Sequence, residues 1–153
     1  MRTITSTEVQ QLLNSFRERY AYFHLQIKAN SSDRCTTWGS TIYVPEAWGT
    51  YSPDKQWIRL MHESIHLAQF QQYGPLRFAW EYIRPRTRFV LEQDAYRQEF
   101  IAVCQTQGPD ALRYKRDYYV NLLSGSAYYY CTPRPTVQAW VDQTIATVIG
   151  DLP

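Results

Sequence analysis

No stretch of this chain approaches the roughly 20 apolar residues that a membrane span needs, and no apolar run follows a charged N-terminus as in a secretory signal. The sequence therefore reads as a cytoplasmic protein. Cysteine is sparse: Cys35, Cys104 and Cys131 stand far apart, without a C-x-x-C pair. That spacing suits buried or free thiols in a reducing compartment better than a disulfide framework, with a single bridge, such as Cys104 to Cys131, left open, and it offers no thiolate zinc ligand. A formal charge of +2 with 20% charged residues lacks the one-sided basicity of nucleic-acid binders. Arg77, Arg84, Arg86, Arg88 and Arg97 do gather in one region, where they could attract an acidic substrate or steer an anionic partner, although a solvated helical face with local ion pairs is the reading preferred. Repeats, low-complexity runs and linkers are absent, so residues 1–153 read as a single domain.

Histidine is equally scarce, with three in the chain, and two of them fall in His62-Glu63-Ser64-Ile65-His66. Residues four apart on a helix are neighbours, so two imidazoles can meet one Zn²⁺ while the carboxylate after the first serves as a general base. H-E-x-x-H on a helix is the pattern of a zinc hydrolase. The surrounding sequence predicts that helix. Ser52 is placed as its N-cap with Pro53 at the first position, and Gly74-Pro75 closes it. Trp57, Met61, Ile65 and Ala68 recur as its buried stripe.

A zinc hydrolase takes three protein ligands and keeps a position for water. His24 precedes the motif on an expected strand and reads as a strand residue. The third ligand is therefore expected among carboxylates. A second helix is predicted over Phe89–Val103, after the breaker Pro85 and with Thr87 as N-cap. On it Glu92, Tyr96, Glu99 and Val103 share one face, and spacing alone does not separate Glu92 from Glu99. The metzincin layout, H-E-x-x-H-x-x-G-x-x-H, is excluded, because Leu67-Ala68-Gln69-Phe70-Gln71-Gln72 supplies neither the glycine nor a third histidine.

Glu92-Gln93-Asp94-Ala95-Tyr96 resembles the E-x-x-A-[DNY] segment of gluzincin metallopeptidases, and His62 to Gln69 resembles the H-E-x-x-H-x-x-Q form of small gluzincin-like proteins. The likeness runs roughly from Trp38 to Glu99. It implies a zincin-like active-site helix, one zinc ion held by His62, His66 and Glu92, and peptide-bond hydrolysis with Glu63 acting on water. Tyr96 stands where thermolysin carries Asp, which departs from the family's histidine-orienting pattern.

Charge on the tetrahedral oxygen needs a donor besides zinc. Tyr96 is the candidate by helical position, and Tyr128, Tyr129 and Tyr130 are others. With 13 tyrosines in the chain, simple packing accounts for most of them.

Upstream, Phe23, Leu25 and Ile27 alternate with polar residues, as do Trp38, Ser40, Ile42 and Val44, which predicts an antiparallel pair across the turn residues Ser31-Ser32-Asp33. By the gluzincin resemblance, Trp38, Gly39, Ser40 and Thr41 belong to a substrate-binding strand that pairs with peptide main chain. Gly39 reads equally as a site of close backbone approach or as a bulge.

An N-terminal helix is announced by a Thr5/Glu8 capping box and an Ile4/Val9 staple, with Val9, Leu12, Leu13, Phe16 and Tyr20 buried. Pro109–Leu123 and a segment around Trp140–Ile149 read as later helices, with a loop over Ser124–Pro135. The expected fold class is α+β, a small antiparallel sheet with a mainly helical body. The expected partner is a peptide or protein substrate, with no nucleic acid and no membrane. A zinc-retaining binding module and a metal-free helical protein are the alternatives.

Overall fold

The computed structural model describes residues 2–19, 26–30, 34–39, 41–128 and 132–151. His24, Tyr20, Ser31 to Asp33, Ser40, Tyr129, Tyr130 and Cys131 lie outside them. The class is α+β with a mainly helical body: α1 (Ser6–Arg19), β1 (Gln26–Asn30), β2 (Thr36–Trp38), β3 (Thr41–Pro45), α2 (Pro53–Tyr73), α3 (Pro75–Ile83), α4 (Pro85–Gln107), α5 (Pro109–Tyr114), α6 (Arg116–Ser124) and α7 (Arg134–Gly150). Short 3₁₀ turns cover Glu46–Thr50 and Ser126–Tyr128. The chain divides into two compact units, Thr3–Phe78 and Ala79–Pro153, the second joined by Met1–Arg2. The division falls inside α3.

In the first unit the capping box forms as expected. The Thr5 amide donates to Glu8 Oε2 at 2.8 Å, and the Glu8 amide donates to Thr5 Oγ1 at 3.2 Å. This satisfies two of the amides that a helix start leaves without partners. Ile4, Val9, Leu13 and Phe16 then enter one core with Ile42, Val44, Leu60 and Leu67. Asp54 ties the N-terminal segment to α2 by accepting from the Ile4 amide at 2.9 Å.

The sheet differs from the expectation in two ways. The alternating run from Trp38 to Val44 is not one strand, because Gly39 takes φ +64° and turns the chain. Trp38 pairs with Thr41 across that turn, so β2 and β3 form an antiparallel hairpin with a two-residue connection, the kind glycine favours. The alternation survives in β3, where Ile42 and Val44 point to the core. In addition, β1 pairs with β3 in parallel, Ile27 opposite Ile42, giving the order β1-β3-β2. Turn chemistry at Ser31 to Asp33 suggested direct antiparallel pairing, but β3 is the strand between the other two.

Ser52 caps α2 by accepting from the Lys55 amide at 3.3 Å. Gly74, at φ +73°, ends the helix. The expected buried stripe is corrected: Trp57, Met61 and Ile65 are half-buried and Ala68 is exposed, whereas Ile58, Leu60, His62, Glu63, His66, Leu67 and Gln69 are buried. Apolar periodicity pointed to a neighbouring arc, because polar site residues occupy much of the helix's most enclosed side.

Pro75 begins a helix as well as following one, so α3 is an element the sequence reading passed over. Pro85 likewise opens α4 at its first position and does not merely break the chain. Its preceding residue, Arg84, is extended, as the residue before proline prefers. Thr87 sits in the first turn and donates to the Glu81 carbonyl at 2.7 Å, so it is not the N-cap.

In the second unit Phe100 contacts Tyr119 and Trp140, with ring centroids 4.5 Å and 5.9 Å away. Leu112, Val120, Leu123, Val137 and Val141 complete an apolar interior. The helix expected over Pro109–Leu123 is divided at Lys115, which separates α5 from α6. Cys104 is a buried free thiol, and burial raises its pKa; Cys131, named with it for a bridge, lies outside the described residues. Among the described residues no helix is long and apolar enough to cross a membrane.

Candidate metal centre

One helical turn separates His62 from His66 on α2, and their ring centroids lie 5.1 Å apart. Both are buried, against the usual tendency of titratable side chains. The His66 Nδ1 faces Gln69 Oε1 at 2.9 Å, three residues along the same helix. An amide oxygen there accepts a hydrogen bond from Nδ1–H and leaves the Nε2 lone pair to face a cation, the arrangement typical of a ligating histidine. Gln69 is thus a supporting residue that the sequence reading quoted in a motif but gave no role. The i,i+3 spacing on a helix is the signal that finds it.

Glu63, between the two histidines, is held from the sheet. Thr37 on β2 donates its hydroxyl to Glu63 Oε2 at 2.7 Å, and both side chains are buried. Thr37 is a second residue that sequence reasoning missed, since nothing in its spacing links it to a helix 26 positions away.

Glu92 lies on α4, where each carboxylate oxygen accepts a phenol. Tyr82, near the end of α3, donates to Oε1 at 3.0 Å, and Tyr128 donates to Oε2 at 3.1 Å. Tyr128 has one hydroxyl proton and commits it to Glu92, so the 2.8 Å contact between Tyr96 and Tyr128 has Tyr96 as donor. Burial first, then neighbouring Tyr96 and Glu92, push the Tyr128 phenol well above its ordinary pKa and keep it a donor. The Arg88 guanidinium stacks over the rings of Tyr82 and Tyr128, 4.7 Å and 5.0 Å from their centroids, and such stacking is favourable. Tyr96 is buried among Phe100, Tyr119 and Tyr128. Its hydroxyl meets that of Tyr128, which in turn donates to Glu92.

Glu99, the competing carboxylate, is also buried, and Tyr119 donates to its Oε1 at 3.0 Å. Among the described residues the group with metal-ligand chemistry is His62, His66 and Glu92, in which one ligand atom from each lies within 4.8 Å of the others. These three and Glu63 are between 1% and 7% exposed. Two imidazoles and one carboxylate, all enclosed, are the donor set of a three-ligand zinc site, so the residues fit the ion.

Of the expected substrate strand, Trp38 ends β2 and is largely exposed, Gly39 makes the turn, and Thr41 begins β3. Because β3 has a partner on both sides, its ladder is taken. The outer edge of the hairpin belongs to β2. Comparison of the chain with protein-family models, curated proteins and solved structures finds no match.

Proposed function

We propose that the protein is a zinc-dependent hydrolase of peptide bonds, of the gluzincin kind. The reading rests above all on one observation: the two histidines of H-E-x-x-H and the downstream Glu92 form one buried group of ligand atoms. When bound, zinc supplies Lewis-acid polarisation of the scissile carbonyl and acidifies water in the site. His62, His66 and Glu92 hold the ion. Gln69 orients His66, while Tyr82 and Tyr128 orient Glu92. Glu63 is steadied by Thr37 on Oε2 and uses Oε1 to take the proton of the attacking water, then returns it to the leaving amine. The outer edge of β2, Thr36–Trp38, offers main-chain groups to a peptide or protein substrate by strand addition, which shifts the expected binding segment toward residues before the turn. The buried free thiol of Cys104 supports a reducing compartment, for which we propose the cytoplasm.

The test is cleavage of unstructured protein and peptide libraries by zinc-loaded wild type and Glu63→Gln. The reading expects cleavage that falls by about 10²–10⁴ in the variant, the usual worth of a general base, with zinc content unchanged. Equal residual cleavage in both proteins would assign the activity to a contaminant. A zinc-loaded wild type that cleaves nothing would favour a zinc-retaining binding module.

A further inference from the structure

α3 presents apolar side chains outward. Leu76, Trp80 and Ile83 are 87%, 58% and 69% exposed, and at 3.6 residues per turn they share a sector of about 60°. Phe78, on the opposite side of the same helix, is buried. This pattern is the reverse of an ordinary surface helix, which turns its apolar stripe inward.

The exposed charges beside this stripe are basic; Glu81, the acidic residue of α3, is half-buried and lies about 130° around the helix from the middle of the stripe. Arg77 flanks it on α3, Arg84 follows the helix directly, and Arg86 lies in the first turn of α4, all three exposed. None of them pairs with a carboxylate among the described residues. No acidic residue stands in the first turn of α4 to offset them. The Arg84 guanidinium lies 5.8 Å from the Trp80 ring centroid, so cation and aromatic sit together at one end of the stripe. An amphipathic helix with basic flanks and a tryptophan on its apolar side matches the chemistry of an anionic lipid surface. Three side chains expose a few hundred Å², short of the roughly 800 Å² per partner that a stable protein interface buries.

We propose that α3 is a peripheral membrane-docking element that lies on an anionic bilayer, with Leu76, Trp80 and Ile83 entering the headgroup boundary and Arg77, Arg84 and Arg86 meeting lipid phosphates. This revises the expectation of no membrane partner. The relation is of a helix on the surface, not across it, and it stands apart from the metal reading.

The experiment is co-sedimentation of the full chain with vesicles of phosphatidylcholine alone and of phosphatidylcholine mixed with phosphatidylglycerol, at low and high salt. The proposal expects binding to the mixed vesicles that weakens with salt, drops about fivefold for each of Arg84→Gln and Arg86→Gln, and is lost in Trp80→Ser/Ile83→Ser. Quenching of Trp fluorescence by brominated lipid should disappear in Trp80→Phe beyond the loss expected from one of five tryptophans. All these positions are exposed, and circular dichroism checks that the variants stay folded. Absence of binding to mixed vesicles overturns the proposal, as does equal binding to both vesicle types. So does self-association that the Trp80→Ser/Ile83→Ser variant abolishes, since the face would then belong to a second copy of the chain.

Discussion

At the scale of single residues, Thr37 decides how Glu63 is held. Replacing it with valine keeps the volume and removes the 2.7 Å donor, leaving a buried carboxylate oxygen without its hydroxyl, a loss of about 1–3 kcal/mol. Thr37→Val is expected to lower kcat about tenfold while zinc content stays the same, as steady-state kinetics beside metal analysis would show. On the proposed zinc reading, the phenols on Glu92 act on the ion instead. Tyr82→Phe and Tyr128→Phe are each expected to weaken zinc affinity about tenfold or more, measured by competition with a chromophoric chelator, and Tyr96→Phe less, because it acts through Tyr128. Unchanged affinity in all three would mean that the phenols only pack. His62, Glu63 and His66 were legible in the sequence because local spacing on one helix carries their chemistry. Glu92 was separable from Glu99 only by resemblance. Thr37 was hidden, because its partner lies 26 residues away, and Tyr128 was legible as a donor but not as the partner of Glu92, 36 residues away, since no periodicity reports such contacts.

Among the elements, those with local start and stop signals were the readable ones. The Thr5/Glu8 box, the Ser52 cap and the Gly74 terminus all sit where side-chain chemistry places them. Thr5→Ala is expected to lower stability by about 1 kcal/mol, read from the midpoint of chemical denaturation. The starts of α3 and α4 are ambiguous in sequence because Pro75 and Pro85 read as stops, although proline's fixed φ suits a first helical position equally well. The hairpin went unread for a related reason: alternation of side chains continues on both sides of Gly39, and only the backbone shows the turn. At φ +64° an added Cβ meets Phe70 no closer than 3.6 Å, so the cost of Gly39→Ala lies in the backbone. About 1 kcal/mol is expected, together with slower substrate turnover if the β2 edge receives the peptide. A stabilised Gly39→Ala protein would contradict the turn.

Across the whole molecule, hydrophobic periodicity and capping signals read correctly as an α+β chain with a mainly helical body, while the direction of β1 relative to β3 depended on pairing that no local signal encodes. Among the described residues, Asp142 links stability to pH at the surface. Arg116 makes two hydrogen bonds to Asp142, at 2.6 Å and 2.8 Å, and holds that carboxyl below its ordinary pKa. A depressed carboxyl stabilises the fold above its unfolded pKa of about 3.9 and loses that contribution as pH falls through the folded value. Asp142→Asn is therefore expected to cost a little stability at neutral pH and nothing at strongly acid pH, the difference being small for so exposed a pair. Denaturation curves at both pH values would show it. The central claim concerns the ion, and zinc stoichiometry of the purified chain without a metal-binding tag tests it most directly. One zinc per chain in the wild type, lost in Glu92→Ala and kept in Glu99→Gln, is the predicted result. A wild type that takes up no zinc, or a Glu92→Ala protein that keeps it while Glu99→Gln does not, would contradict the account.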